Sequence, residues 1–246
     1  MQFYFFLSVN FINNFVAVIP AIAAQIINLL YNLVDRMYIG HIANIGKLAL
    51  TGVGVCLPLI MLISAFAALV SMGAAPRASI FLGKGEHENA EKTLGNSFSL
   101  LIILSLIITV IFSLFSKDLL LIFGASENTI EFAVSYMKIY SLGTIFVQLT
   151  LGLNAFISAQ GFATVSMMTV LIGAMFNIIL DPILIFGFNM GVSGAALATI
   201  ISQSLSMIWI LFFLTGKKST LKLRKENLRL SKEIIIPSII LGLSPF

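Results

Sequence analysis

The sequence predicts an all-α membrane protein: a bundle of six transmembrane helices followed by the truncated start of a seventh. Hydrophobic residues make up 59% of the 246 residues and charged residues only 10%, whereas a soluble domain carries about 25% charged residues. Six apolar runs reach the roughly 20 residues that a spanning helix needs. They are too long for the strands of a membrane β-barrel, so helices are the spanning structure that fits.

The six runs follow one another with short loops that contain Gly, Lys, Glu or Asp. In chain order they cover residues 15–39, 49–75, 96–115, 128–157, 163–188 and 192–214. A seventh run begins near Ile234 and is too short to span by Phe246. The predicted organisation is therefore a six-helix transmembrane lobe at 1–214, a basic cytoplasmic linker at 215–233 and the start of a second lobe at 234–246.

The distribution of Lys and Arg predicts a cytoplasmic N-terminus, because basic loops remain inside. In this orientation the outer loops hold only Lys47 and Lys117. A basic cluster beside a span is typical of the cytoplasmic face rather than of a nucleic-acid site. We therefore expect a multi-pass protein of the cell (inner or plasma) membrane, with lipid around it and no nucleic-acid partner. The inner loops hold Arg77, Lys84, Lys92, Lys217, Lys218, Lys222, Arg224, Lys225, Arg229 and Lys232.

A short repeat predicts that the chain is the first half of a longer design. Ile19-Pro20-Ala21-Ile22 opens the first run, and Ile236-Pro237-Ser238-Ile239 opens the seventh after the charged linker. Transporters are commonly built from internal repeats, so a second half that begins as the first half did is expected.

Two carboxylates lie in runs that are otherwise lipid-soluble: Asp35 in the first and Asp181 in the fifth. An acid at membrane depth costs roughly 2.5–3.5 kcal/mol on insertion scales and commonly marks an ion or proton pathway. Asp181 precedes Pro182, so it could instead mark a helix end. Because the following loop begins only near Gly187, we expect Asp181 to lie within the bilayer.

Polar residues accompany both acids. Gln25, Asn28 and Asn32 precede Asp35 within an arc of about 80° on one helix face, and Asn177 lies four residues before Asp181. We expect the amides, together with Asn154 in the fourth run, to face the lobe interior. The amides could instead form interhelical hydrogen bonds that only hold the bundle together.

Helix rise places four polar groups at similar depth, roughly 7–12 Å below the outer surface. They are Asp35, Asp181, Thr199 and Tyr136. Carboxylate, amide and hydroxyl oxygens suit a hard cation such as Na⁺, and two apposed acids equally suit proton exchange. The sequence therefore predicts a coupling-ion site for Na⁺ or H⁺, with no other metal and no cofactor. Pro20 is either a hinge in this first helix or a tolerated membrane proline.

The sequence does not support an enzymatic function. Gly191-Val192-Ser193-Gly194 is similar to the serine motif of rhomboid proteases, but the histidines, His41 and His87, lie in earlier loops and leave the serine without a base. No nucleotide-binding motif is present, so the sequence gives no indication of ATP-driven transport.

Five stretches carry a family resemblance. They are Ile19-Pro20-Ala21-Ile22 through Tyr31-Asn32-Leu33-Val34-Asp35 and Tyr38-Ile39-Gly40-His41; Ser71-Met72-Gly73-Ala74-Ala75; Leu82-Gly83-Lys84-Gly85; Asn177-Ile178-Ile179-Leu180-Asp181-Pro182 with Ile185-Phe186-Gly187; and Gly191 to Thr199. Together they resemble the N-terminal half of the multidrug and toxic compound extrusion (MATE) family, with its prokaryotic DinF-like branch the best fit because both acids are present.

The resemblance implies twelve helices in two six-helix lobes around a V-shaped cavity. It implies antiport, in which Na⁺ or H⁺ entry drives export of amphipathic, often cationic, drugs and toxins. The family's cation site corresponds to Asp35, Asn177, Asp181 and Thr199, with Tyr136 beside them, and its bent first helix corresponds to Pro20.

Two departures from the family leave alternatives open. The C-terminal lobe is nearly absent, so the chain could be a gene fragment that transports nothing without a partner lobe. The loop at 158–162 also lacks the basic residue often found there.

A lipid-linked oligosaccharide flippase is a second alternative. Such flippases tend to hold pyrophosphate with cavity-lining Arg residues, and Arg36 is the sole Arg in the six predicted runs.

Overall fold

The computed structural model describes the backbone of residues 2–244 and the side chains of residues 18–244. Within this range the chain forms helices and contains no strand, which confirms the predicted all-α class. The helices are α1 (Gln2–Gly40), α2 (Gly46–Gly83), α3 (His87–Ile122), α4 (Ile130–Leu142), α5 (Thr144–Ala159), α6 (Ala163–Pro182), α7 (Gly191–Thr215) and α8 (Lys232–Leu243).

Five helices of the described chain are long and apolar enough to cross a membrane: α1 from Val18 onward, α2, α3, α6 with its extension to Gly187, and α7. A sixth crossing results when the bent pair of α4 and α5 counts as one span. The run at 128–157 was predicted to be one helix, and this was wrong, because α4 and α5 meet at an angle of 59°. Gly143 stands at the bend, where a Cβ atom would come within 2.7 Å of Ile200 Cδ1. The missing side chain therefore lets α7 approach the bend closely.

Two apolar clusters stabilise the bundle, one towards each end. The first joins the end of α1 to α2, α3, α4 and the start of α7, with Leu59, Phe112 and Met137 at its centre. The second joins the other halves of α2, α3 and α7 to α5, around Leu101 and Phe156. The last part of α1 contributes to the first cluster through Ile39, while the part of this helix from Val18 onward packs mainly against α6. Helix α6 in turn packs against α7, and a cleft remains among α1, α2, α5, α6 and α7.

The linker between α7 and α8 folds back onto the lobe. Gln160 Oε1, at the end of α5, accepts hydrogen bonds from Ser219 Oγ at 3.0 Å, Thr220 N at 2.9 Å and Leu221 N at 2.9 Å. Leu221 is fully buried in the second cluster. Farther along, Arg224 forms an ion pair with Glu91 of α3 at 2.8 Å. These contacts bring the α2–α3 turn, the end of α5 and the linker together at one end of the bundle.

Helix α8 packs along α2 with backbone in contact with backbone. A Cβ atom on Gly73 would lie 2.7 Å from Gly242 N, so these two glycines are what allow the approach. Arg77 of α2 adds two hydrogen bonds from Nη1, to Ile234 O at 2.7 Å and to Ser238 Oγ at 2.8 Å. The helix that begins the predicted second lobe is therefore attached to the first.

Candidate ion and ligand site

The two acids meet where α1 packs against α6. The Asp35 and Asp181 carboxyl groups are close enough for one to donate a hydrogen bond to the other when it carries a proton. Asp181 is fully buried, and Asp35 is half-buried. Two carboxyl groups that share so small an apolar space repel each other when both are ionised, so a bound cation or proton stabilises the pair.

Several oxygen atoms around this pair have no hydrogen-bond partner. Asn177 Nδ2 donates to Asp181 Oδ1 at 3.3 Å, which fixes the orientation of both side chains. Asp35 Oδ1, Asp181 Oδ2 and Asn177 Oδ1 are buried and remain without a donor. Buried polar atoms are nearly always paired, so three free oxygens from two helices make this the candidate place for a cation or a proton. Two carboxylates and an amide oxygen are ligands that fit Na⁺.

Two hydroxyl residues of the expected site lie next to one another: Tyr136 beside Asp35, and Thr199 beside Tyr136. Tyr136 is buried next to Asp35, with the Thr199 hydroxyl near its own. Thr199 Oγ1 donates to Ala195 O at 3.0 Å within α7, so its lone pairs remain available. The structure thus brings together residues of four helices: α1, α4, α6 and α7.

Asp181 stays within a spanning helix, although proline follows it. The backbone continues from Pro182 into a π-helical turn at Ile183–Gly187, and the whole span runs from Ala163 to Gly187. Proline cannot donate the usual helical hydrogen bond, and a wider turn accommodates that loss. Helix α6 does end at Pro182, one residue after Asp181, as the helix-end alternative expected, but the π-helical turn carries the apolar span on to Gly187.

A cleft of about 520 Å³ opens beside the acids, lined by α1, α2, α5, α6 and α7. Asn28, Asn32 and Asn154, which were expected to face the interior, all line it. Gln25 is exposed and is not among the lining residues. Other polar lining residues are Tyr31, Arg36, Ser64, Tyr140, Thr150, Ser158, Thr169, Asn177, Thr199, Ser202, Gln203 and Ser206.

The sequence reasoning missed part of this lining, although a pattern was available. Thr199, Ser202, Gln203 and Ser206 follow the spacing of one helix face, and all four reach the cleft. Tyr31 lies one turn before Asp35 and close to both acids. Pro20 lies within a continuous α1, about four turns from Asp35.

Comparison with known proteins places this geometry in a family. The MatE family model matches residues 20–183. The multidrug export protein MepA of Staphylococcus haemolyticus is 29% identical over 228 residues, which is 93% of this chain and 50% of that protein. Two solved structures, described as MATE in the bent and in the straight conformation, each superpose with a TM-score of 0.83 at 27% identity. Each match covers 92% of this chain and 50% of the solved one, so the chain spans about half the length of its relatives.

Proposed function

Because this chain belongs to the MatE family, we propose that it is one six-helix half of a cation-coupled multidrug exporter. The staphylococcal relative is named as a multidrug export protein. The proposed substrates are amphipathic, often cationic, drugs and toxins, which enter through the lobe cleft. The proposed location is the cell membrane, in which the chain is a multi-pass protein.

The observation that carries the proposal is the pair of apposed acids, Asp35 and Asp181, with their unpartnered oxygens beside a cleft of drug size. A pocket of roughly 300–1,000 Å³ suits a drug-sized ligand. Either Na⁺ or H⁺ neutralises the acid pair, and Asn177 supplies a further oxygen for Na⁺. Binding of the coupling ion changes the charge next to the cleft, and this lowers the affinity of the cleft for a cationic drug.

Movement of α1 would link ion binding to drug release. Asp35 belongs to α1, Asp181 belongs to α6, and α1 packs mainly on α6. Occupation of the acid pair therefore changes how firmly the two helices adhere. Pro20 interrupts the hydrogen bonding of α1 and is the proposed hinge. The two similar structures described as bent and straight conformations fit such a motion.

Export requires a second lobe, because the alternating opening of such transporters occurs between two halves. We propose that α8 marks the start of that partner lobe. The competing function is a lobe that binds ions and drugs but transports nothing alone. Expression of this chain with and without a separate second-half chain distinguishes them, since export restored only by co-expression shows that the two halves work together.

The decisive experiment is ethidium efflux from cells that carry the two-lobed transporter with Asp35→Asn or Asp181→Asn. Both variants should lose most of their efflux, while Asp118→Asn, which changes an exposed acid of α3, should retain it. Undiminished efflux in both site variants would refute the function. Proteoliposomes with either a Na⁺ gradient or a pH gradient then identify the coupling ion.

The proposed orientation places the linker end of the bundle in the cytoplasm. Three loops meet there, including the basic linker, as the positive-inside rule expects. Cys56 is the only cysteine of the chain, so a Cys56→Ser background permits single-site labelling. An impermeant maleimide applied to intact cells should label Lys47→Cys and leave Lys218→Cys unlabelled. The reverse pattern would invert the topology.

A further inference from the structure

The linker between α7 and α8 is basic and is tied to the lobe through its backbone. It holds seven basic and two acidic residues between 215 and 233. Lys222 N donates to Glu91 Oε1 of α3 at 3.3 Å. Leu223 N donates to Leu214 O, near the end of α7, at 3.0 Å. Because the backbone of this segment is attached to two helices, its side chains project from a fixed base.

A shallow recess of about 420 Å³ lies where this segment meets the end of α7. Its lining residues are Thr215, Lys222, Leu223, Arg224, Lys225 and Glu226. Arg224 is already paired with Glu91 at 2.8 Å. Within the described residues, Lys222, Lys225 and Glu226 form no ion pair. The recess therefore keeps a net positive charge after the Arg224–Glu91 pair has been taken into account.

An apolar strip of α7 leads from the recess into the membrane. This helix has 25 residues and is about 37 Å long, which exceeds the roughly 30 Å of the hydrocarbon core. Thr215 at its end therefore reaches the level of the phospholipid headgroups. One and two turns earlier on the same face, Phe212 and Ile208 are 75% and 56% exposed. Helix α8 packs mainly along α2 and leaves this strip uncovered.

We propose that the recess binds the headgroup of an anionic phospholipid, with Lys222 and Lys225 on the phosphate and the acyl chains along Phe212 and Ile208. Basic recesses at the cytoplasmic side of membrane proteins suit anionic headgroups. A zwitterionic lipid brings a positive charge of its own, which the two ammonium groups repel. The inference goes beyond the proposed export, because the binding needs only α7 and the linker.

Trp209 provides a reporter beside the recess. It is the only tryptophan of the chain, and it lies on α7 about 9 Å along the helix from Thr215. Brominated acyl chains quench tryptophan fluorescence on contact, so quenching reports which lipid lies against α7. The full chain is placed in vesicles of equal parts phosphatidylcholine and phosphatidylglycerol, and the bromine is carried by one lipid or by the other. The membrane composition is then the same, and the difference in quenching measures the preference for phosphatidylglycerol.

Bromine on phosphatidylglycerol should quench Trp209 of the wild type more strongly than bromine on phosphatidylcholine. The double variant Lys222→Gln/Lys225→Gln should lower the relative association constant for phosphatidylglycerol about fivefold or more, since one basic residue near the surface contributes a factor of about five. Lys217→Gln/Lys218→Gln removes the same charge from exposed linker residues outside the recess and should keep the preference. Equal loss in both double variants, no loss in either, or no preference in the wild type would overturn the inference.

Two further measurements separate charge from folding and lipid from free phosphate. Lys222→Arg/Lys225→Arg keeps both charges and should keep the preference, and its loss in this variant would overturn the assignment to charge. Glycerol 3-phosphate, added at constant ionic strength, carries the phosphate without acyl chains and should leave the preference unchanged. Loss of the preference on this addition would indicate a site for free phosphate esters and would overturn the assignment to lipid.

Discussion

Replacement of Asp181 by asparagine should stabilise the protein while abolishing its proposed activity. Asp181 is fully buried, and its Oδ2 has no donor. An asparagine keeps Oδ1 as the acceptor for Asn177 and places an NH₂ group where the free oxygen lies. That group can donate to Asp35, whose Oδ1 is also unpartnered. The substitution therefore removes a repulsion between like charges and adds a hydrogen bond.

The expected gain in the free energy of unfolding is about 1.5–3 kcal/mol, the net value of a hydrogen bond to a charged group. For a chain of this length each kcal/mol raises the melting temperature by about 2–4 °C, so the predicted rise is about 3–12 °C. The gain is greatest when both acids of the wild type are ionised. It shrinks when a proton already joins them, because the hydrogen bond then exists before the substitution.

Cys56 provides the assay. It is the only cysteine of the chain, and it is buried between α2 and α4, with its thiol 3.4 Å from Ala133 O. A thiol-reactive fluorophore therefore labels the protein only after it unfolds, and labelling during a temperature ramp reports the melting temperature. Asp118→Asn is the control and should melt with the wild type. At a pH where both wild-type acids are ionised, a melting temperature of Asp181→Asn equal to or below that of the wild type would show that the acids do not oppose each other as described.

Three further predictions concern packing. Gln160→Ala leaves three donors of the linker without their acceptor. We expect the free energy of unfolding to fall by about 1–3 kcal/mol and proteolysis of the linker to become faster. Unchanged proteolysis would contradict the contact between the linker and Gln160. Gly73→Ala should destabilise the protein although alanine has the better helix propensity, because the new methyl group meets the backbone of α8. Gly54→Ala on the same helix is the control: its methyl group meets nothing within 4 Å, so it should stabilise the protein by about 0.5–1 kcal/mol. A rise in melting temperature for both would refute the α2–α8 contact. Gly143→Ala should lower the free energy of unfolding by about 1–3 kcal/mol, because the new methyl group overpacks against Ile200. Adding Ile200→Val should recover part of this loss. Additive effects of the two substitutions would show that the two residues are not in contact.

Local composition was enough to predict the spanning segments and to single out the two acids within them. Length and apolarity identify a spanning helix without reference to its neighbours, because lipid forces each segment to satisfy its own backbone hydrogen bonds. The same reasoning identified Asp35 and Asp181 as exceptional, since an acid among apolar residues is costly wherever the helix stands. Equal depth then made a shared site possible, and the structure places the two carboxyl groups together.

The bend at Gly143 shows where such reasoning ends. The run at 128–157 is long enough for one spanning helix and holds Gly143 in its interior, so its length alone gives no sign of two helices. At the 59° bend Gly143 lies against Ile200 of α7, and that contact joins residues far apart in the chain. The basic linker is similar, because its charge predicts solvent exposure while Gln160 and Glu91 of distant helices hold it on the lobe.

Composition along the chain identifies the segments that enter the membrane and the residues that are too polar to face lipid. The packing of the helices then sets which of those polar residues meet, and it opens Arg36 to the cleft while Asp35 lies towards Asp181. These two levels differ because the transfer of a segment into lipid depends on its own composition. The pairing of side chains across helices depends instead on rotation, bending and close approach, which neighbouring helices impose on one another.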